Sequence, residues 1–481
     1  MADFFQVLNI QANLVLGLCE LLTMATSKAW LHIGLAVRMA QTLRMRNEYN
    51  WRHIPRKREI RRRTFWACVI LDRLVAYCTF RTQTIDLSLV KLHLPCSEIA
   101  FAFGHDCPGP KIDELGRETD LSSEKMTLSY FVKTFLLWSP IAQAYVDGGR
   151  RASSSSPHDP ASRNWQSQAT IKTWRDSLPR EMQWSENNLQ AHKSLGQLSH
   201  FASMHLLIQH ALFLAHHEYL PQIEDAELAG RTPSLSTFET APTLSSAEDQ
   251  ATITNCVYGA NQVVDMLRLI DATSAEFRHT PIGTCTGIPI VTAASVLLWV
   301  HYCSRLVLIS VQPSESDVFQ ARMDVDYLLS LLDSWARTWV LAKAFASSIR
   351  LLDEFYQSRY GHGMHNTILN MDTTHRNSQG DQRKLTESVA ASPTPLQDGD
   401  GFPEITRIPQ ATYYKVRLIT GLVLEQPELC KKFLHIFGEP AAEAAEQQVN
   451  PWEADDFCWL NDLDLLTASS LWTDSALQIE K

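Results

Sequence analysis

Apolar residues recur along this chain with the period of an α-helix and nowhere with the period of a strand. Val7, Leu14, Leu18 and Leu21, with Gln11 on the same stripe, fall three or four residues apart, which places them on one side of a cylinder turning about 3.6 residues per turn. The same spacing returns in Trp30, Ile33, Val37 and Gln41, and in Ile60, Ala67, Leu71, Leu74 and Cys78. No sustained alternation of apolar and polar residues appears, nor any series of hairpin turns. The fold class is therefore all-α. With 45% hydrophobic residues in 481, the chain can bury a substantial core.

Further helical patterns run through 126–145, 165–178, 198–219, 251–270, 289–311 and 318–360. In the helix around Trp30, Leu31, Leu35 and Met39 make the second side apolar too, so neighbours are expected to enclose it. Its Gly34 is expected to allow close helix contact. Three stretches break the pattern: 147–161 with its serine run, 222–250, and the polar tract from Gly361 to Pro409. Each holds too few apolar residues to offset the entropy of ordering the chain. The expected organisation is a multi-helix regulatory body over 1–360 with mobile loops near 147–161 and 222–250. A disordered linker over 361–410 and a C-terminal segment over 411–481 follow. That segment starts as a helix and ends as a partly disordered acidic tail.

The densest motif lies between Lys28 and Pro95. It reads Trp30-Leu31-His32-Ile33-Gly34-Leu35-Ala36-Val37-Arg38, then Glu59-Ile60-Arg61-Arg62-Arg63-Thr64-Phe65-Trp66, then Asp72-Arg73, and finally Leu92-His93-Leu94-Pro95. This order resembles the fungal-specific transcription factor domain, or middle homology region, of fungal zinc-cluster transcription factors. The chain departs from the family at Leu43-Arg44-Met45-Arg46, where Leu-Gly-Leu-His is usual, and at Phe80-Arg81-Thr82-Gln83, where Gly-Arg-Pro is common. Glycine supplies positive φ and proline a fixed φ, so both departures bear on turn geometry. The resemblance implies structural roles for Trp30, Gly34, Arg38, Glu59, Arg62, Arg63, Trp66, Asp72 and Arg73. It also implies a nuclear regulator of RNA polymerase II-dependent transcription that acts on promoter DNA, commonly as a homodimer. The family carries zinc in an N-terminal six-cysteine cluster built on Cys-x-x-Cys pairs, and this sequence contains no such pair. No cofactor is expected in this chain.

Charge is distributed unevenly. From Glu439 onward ten acidic residues face only Lys481, so a net of −9 out of the chain's −10 lies in the tail. The near-neutral body argues against a broad nucleic-acid surface. Ten cysteines, mostly inside apolar runs, read as small hydrophobes in a reducing compartment. The most membrane-like run, 288–311, is interrupted by His301 and Arg305, so it reads as a core helix and no membrane partner is expected. Phosphate-loop, dinucleotide, nucleophile-elbow and zinc-protease motifs are all missing. The start of an all-α diphosphate-binding motif, Asp455-Asp456, has no third acid. The expectation is a protein that is not an enzyme.

Three other clusters stand out in the sequence. Arg56, Lys57 and Arg58 suit a nuclear-import signal. The histidines at 200, 205, 210, 216 and 217 include steps of five residues, which spread the rings around a helix, so core positions fit them better than metal ligation. At the C-terminus Trp452, Phe457, Trp459, Leu460, Leu463, Leu465 and Leu466 alternate with Asp455, Asp456, Asp462 and Asp464. Acids that keep apolar side chains accessible suit an activation segment that folds in a coactivator groove. The competing reading of the whole chain is a helical ligand-sensing or scaffold protein without direct transcriptional output.

Overall fold

A computed structural model describes residues 6–374 apart from 50, 80, 116–125, 148, 150–155, 157, 221–245 and 304–313. Among the described residues there are helices and turns but no strand. The helices are α1 (Val7–Leu22), α2 (Thr26–Thr42), α3 (Pro55–Thr79), α4 (Glu98–Phe103), α5 (Thr127–Val146), α6 (Arg163–Asp176), α7 (Glu186–Ser194), α8 (Leu198–His217), α9 (Ser246–Thr273), α10 (Gly287–Cys303), α11 (Glu315–Trp335) and α12 (Val340–Thr374). Helix contacts run α1 to α2 to α3, then α5, α8, α9 and α10, with α11 and α12 both packed on α10. One continuous apolar cluster extends from Ile10 to Tyr356.

Several boundaries differ from the sequence reading. The single pattern over 318–360 is two helices, because the chain turns between Trp335 and Val340. α9 begins at Ser246, inside the polar stretch expected to be loop, and α12 continues past Tyr360 to Thr374. α4 and α7 are too short for periodicity to reveal. α2 is not enclosed: Leu31 is 69% and Leu35 40% exposed, while Met39 is buried. Nor does Gly34 make the close contact, since a Cβ there would meet nothing within 4 Å. The intimate crossing of α1 and α2 uses Gly17 instead, where a Cβ would sit 2.5 Å from Ile33 Cγ1.

α2 ends in a Schellman turn. Met45 N–H donates to Ala40 O at 3.0 Å and Arg44 N–H to Gln41 O at 2.9 Å. Such a turn needs a left-handed residue after the C-cap, and Arg44 occupies it at φ 53°. Thus the turn survives the departure from the family's glycine, with an arginine held in a conformation that costs L-residues about 1 kcal/mol.

α8 is the central element. By length and composition its 20 residues could cross a membrane, yet 83% of that apolar window is buried in the bundle, as befits a core helix. Its histidines each reach a different neighbour. His205 Nε2 donates to Met182 O at 2.9 Å, and His217 Nε2 lies 2.7 Å from Ser295 Oγ. Trp138 Nε1 donates to His210 Nδ1 at 2.9 Å, which leaves the His210 hydrogen on Nε2, facing Thr292 Oγ1 at 3.2 Å. Thr292 in turn donates to Ile288 O. One directed chain of hydrogen bonds therefore joins α5, α8 and α10 through a neutral imidazole.

Burial pushes His205 and His210 down to about 3 and His216 down to about 4. Their unfolded value is about 6.5, so the unfolded chain binds protons that the folded chain refuses. Stability is fully present above about pH 6.5 and falls as pH drops towards 4, with a slope approaching about 1.4 kcal/mol per pH unit per histidine. Urea denaturation at pH 7.5 and pH 5.5 should show a lower midpoint at the acid value. Equal midpoints would mean that these rings take up protons without unfolding. By the same assay, Gly17→Ala should cost about 1–3 kcal/mol through overlap with Ile33. Gly34→Ala should gain about 0.5–1 kcal/mol from helix propensity, and Arg44→Gly should gain about 1 kcal/mol by relieving positive φ.

Candidate functional site

The motif residues of α3 converge on a buried carboxylate. Glu59 is 3% exposed, and an unpaired charge at such a site is strongly unfavourable. Here it is saturated. Oε1 accepts from Arg63 Nε at 3.0 Å and from the Cys96 backbone N–H at 2.9 Å, while Oε2 is paired with Arg62 Nη1. The spacing of three and four residues puts both arginines on the face that Glu59 occupies.

Each arginine then fastens another segment. Arg62 holds Glu48 through Nη2 to Oε2 at 2.8 Å and Nε to Oε1 at 3.3 Å. Glu48 Oε1 also accepts from the His93 backbone N–H at 3.0 Å. Arg63 Nη1 reaches Glu98 Oε2 at 3.0 Å, its Nη2 donates to Cys96 O at 3.1 Å, and its guanidinium lies 4.2 Å from the Phe101 ring centroid. Trp66 Nε1 closes the set by donating to His93 O at 2.8 Å. The planar, five-donor guanidinium allows one side chain to serve several acceptors at once. Together they clamp the Leu92–Glu98 segment and the start of α4 onto α3.

Further along α3, Asp72 and Arg73 do the same for the Thr84–Ile85 stretch of the same connection. Asp72 Oδ2 accepts from the N–H groups of Thr84 at 2.9 Å and Ile85 at 3.1 Å, and Arg73 Nη2 donates to Ile85 O at 3.1 Å. Burial works against an ionised Glu48, but hydrogen bonds from Arg62 and His93 outweigh it and hold its carboxyl below the usual range. At Glu98 burial prevails over Arg63 and the carboxyl lies above its usual range.

The clamp does not gather every motif residue. Trp30 is half-buried against the core, with the Arg81 guanidinium 5.1 Å from its ring. Arg38 is exposed on α2 and Gly34 lies on the same helix. Arg61 turns aside to donate to Leu43 O at 3.0 Å and stacks 4.2 Å over Tyr49. Of the basic residues before it, Arg56 and Lys57 are exposed, whereas Arg58 is half-buried and bound to Asp106. The acidic residues and tryptophans of 452–466 lie outside the described residues.

Sequence reasoning missed Glu48, Cys96, Glu98 and Phe101, which answer the arginines from distant loops. The one available signal was the need of two buried guanidinium groups for more than one carboxylate. At the centre of the clamp both Glu59 oxygens are met by donors, while Glu98 Oε1 at its edge is buried without a hydrogen-bond partner. Cys96 beside it, like Cys78 and Cys285, is pushed up to about 12 by burial, so these thiols stay protonated and unreactive. Among the described residues no grouping of three His, Cys, Asp or Glu could hold a metal ion. The arrangement positions chain segments.

Breaking the clamp at its centre should therefore act on stability. Glu59→Gln leaves two buried guanidinium groups short of an anion and should lower the unfolding free energy by about 3–5 kcal/mol in urea denaturation. Arg56→Gln, on the exposed side of the same helix, should change it by less than about 0.5 kcal/mol. A Glu59→Gln protein as stable as the parent would show that the network contributes nothing net.

Residues 4–163 match the family described as fungal specific transcription factor domain, a range that contains the entire clamp. A Zn(2)-C6 fungal-type transcription factor of Fusarium oxysporum f. sp. lycopersici is 27% identical over 220 residues, covering 42% of this chain and 24% of the relative. A transcriptional regulatory protein of Schizosaccharomyces pombe is 23% identical over 384 residues, covering 73% of this chain and 52% of the relative. A second from that yeast is 28% identical over 264 residues, covering 48% and 27%. The chain thus spans about half or less of the length of these curated relatives. No solved structure matches it. The clamp on α3 and the helices before it thus lie within the stretch that is similar to a fungal specific transcription factor domain.

Proposed function

We propose that this chain is the regulatory part of a fungal zinc-cluster transcription regulator, acting in the nucleus on RNA polymerase II-dependent genes. The observation that carries the reading is the family match over residues 4–163, which takes in the clamp whose residues form the family motif. The names of the relatives support the same reading. In this proposal the helical body controls output and performs no catalysis. Promoter DNA is contacted through the zinc cluster that the family places N-terminal to the domain, and pairs of chains act as a homodimer.

Two segments would give the body its cellular role. Residues 451–481, with Trp452, Phe457, Trp459 and Leu463 set among Asp455, Asp456, Asp462 and Asp464, act as the activation segment and present apolar anchors to a coactivator groove. Arg56 and Lys57, exposed at the start of α3, contribute to nuclear import. Arg58 is a weaker contributor because Asp106 already binds it.

Residues 451–481 fused to a heterologous DNA-binding domain should raise reporter transcription several-fold, and Trp459→Ala with Leu463→Ala should abolish the rise. The full chain fused to a fluorescent protein should lose nuclear enrichment when Arg56 and Lys57 are both replaced by alanine. An inert fusion would favour a helical ligand-sensing or scaffold protein without transcriptional output of its own.

A further inference from the structure

α6, α8 and α9 line a cleft of about 480 Å³ that includes none of the motif residues, a size that suits a small organic ligand. α6 turns one face towards it, with Trp165, Gln168 and Lys172 at helical spacing. α8 contributes Gln209, Leu212 and His216, and α9 contributes Asn255 and Tyr258. None of its lining residues is an Asp or Glu.

Two buried hydrogen-bond donors of this cleft have no acceptor. His216 is 5% exposed. Asn255 Nδ2 donates to its Nε2 at 3.3 Å, so the neutral ring carries its hydrogen on Nδ1, and Nδ1 has no partner. Gln168 Nε2, another donor, is likewise buried without an acceptor. Unsatisfied buried donors are costly, about 1–3 kcal/mol each, and two of them line one cavity. Lys172 adds a positive charge that no carboxylate answers among the described residues. Arg175 adds a second, shared with Asp176. At the mouth Trp165 and Tyr258 are 41% and 59% exposed, and their rings offer flat apolar faces.

We propose that this cleft binds a planar organic anion, a carboxylate borne on an aromatic or conjugated ring. The carboxylate would accept from the His216 and Gln168 donors and neutralise Lys172, while the ring lies against Trp165 and Tyr258. Acceptors supplied by the ligand satisfy donors that the protein leaves open, and the charge-assisted bonds select an anion over a neutral isostere. The inference stands on the cleft alone and does not depend on the transcriptional reading.

Isothermal titration of the full chain with 2-naphthoate tests it, with 2-naphthamide as the uncharged control. Saturable binding of the acid is expected, with the amide at least about tenfold weaker. Lys172→Gln, a change at an exposed position, should weaken the acid by about tenfold and leave the amide unaffected. Gln168→Leu should weaken the acid without lowering the melting temperature, because it removes a donor that has no partner in the free protein. No saturable heat with the acid up to about 1 mM would overturn the proposal. So would equal binding of acid and amide, or a Lys172→Gln protein that binds the acid like the parent.

Discussion

Glu59 is the group on which the N-terminal half of this bundle depends. A carboxylate this deeply buried is tolerated only because three donors reach it, two from its own helix and one from a backbone N–H across the chain. Its partners are themselves tied outward to Glu48, Glu98 and Cys96. The charge therefore organises everything around it. The Leu92–Glu98 segment buries Leu92 and Leu94 in the main core, and these polar contacts fix its path together with Ser129 Oγ donating to Pro95 O at 2.6 Å. α3 acts as the mast to which two stretches of one connection are lashed, one at Glu59 and one at Asp72.

The C-terminal half is organised differently, around α8. Its polar side chains lie inside the apolar core, and directed hydrogen bonds from Trp138 through His210 to Thr292 link three helices without any net charge. Neutral imidazole can accept on one side and donate on the other, which suits a position between a tryptophan and a threonine. Charge resolves the burial problem in one half and tautomer choice resolves it in the other. Neither solution reaches the cleft of α6, α8 and α9, where the Gln168 and His216 donors have no partner.

Helices were legible where apolar spacing was long and uninterrupted, as in α1, α3, α5 and α8. They were illegible where two helices share one phase, as α11 and α12 do, or where a helix lasts barely two turns, as α4 does. The motif around Glu59 was visible as a string of residues, but its partners were not, because Glu48 and Glu98 lie 11 residues before and 39 after Glu59 in the numbering. Exposure was the least legible property. Leu31 and Leu35 look like core and face outward, and Gly34 looks like a contact point and touches nothing, because a helical pattern tells which residues share a face and not what packs against it.

By itself the sequence determined the helical class, the identity of the clamp's central residues and the family they resemble, because periodicity and local motifs are written in neighbouring positions. Only tertiary structure decided which carboxylates answer the arginines, which face of α2 is covered, and that Gln168, Lys172 and His216 share one cavity. Those outcomes depend on how helices cross, and a crossing joins residues whose separation along the chain carries no trace of their contact.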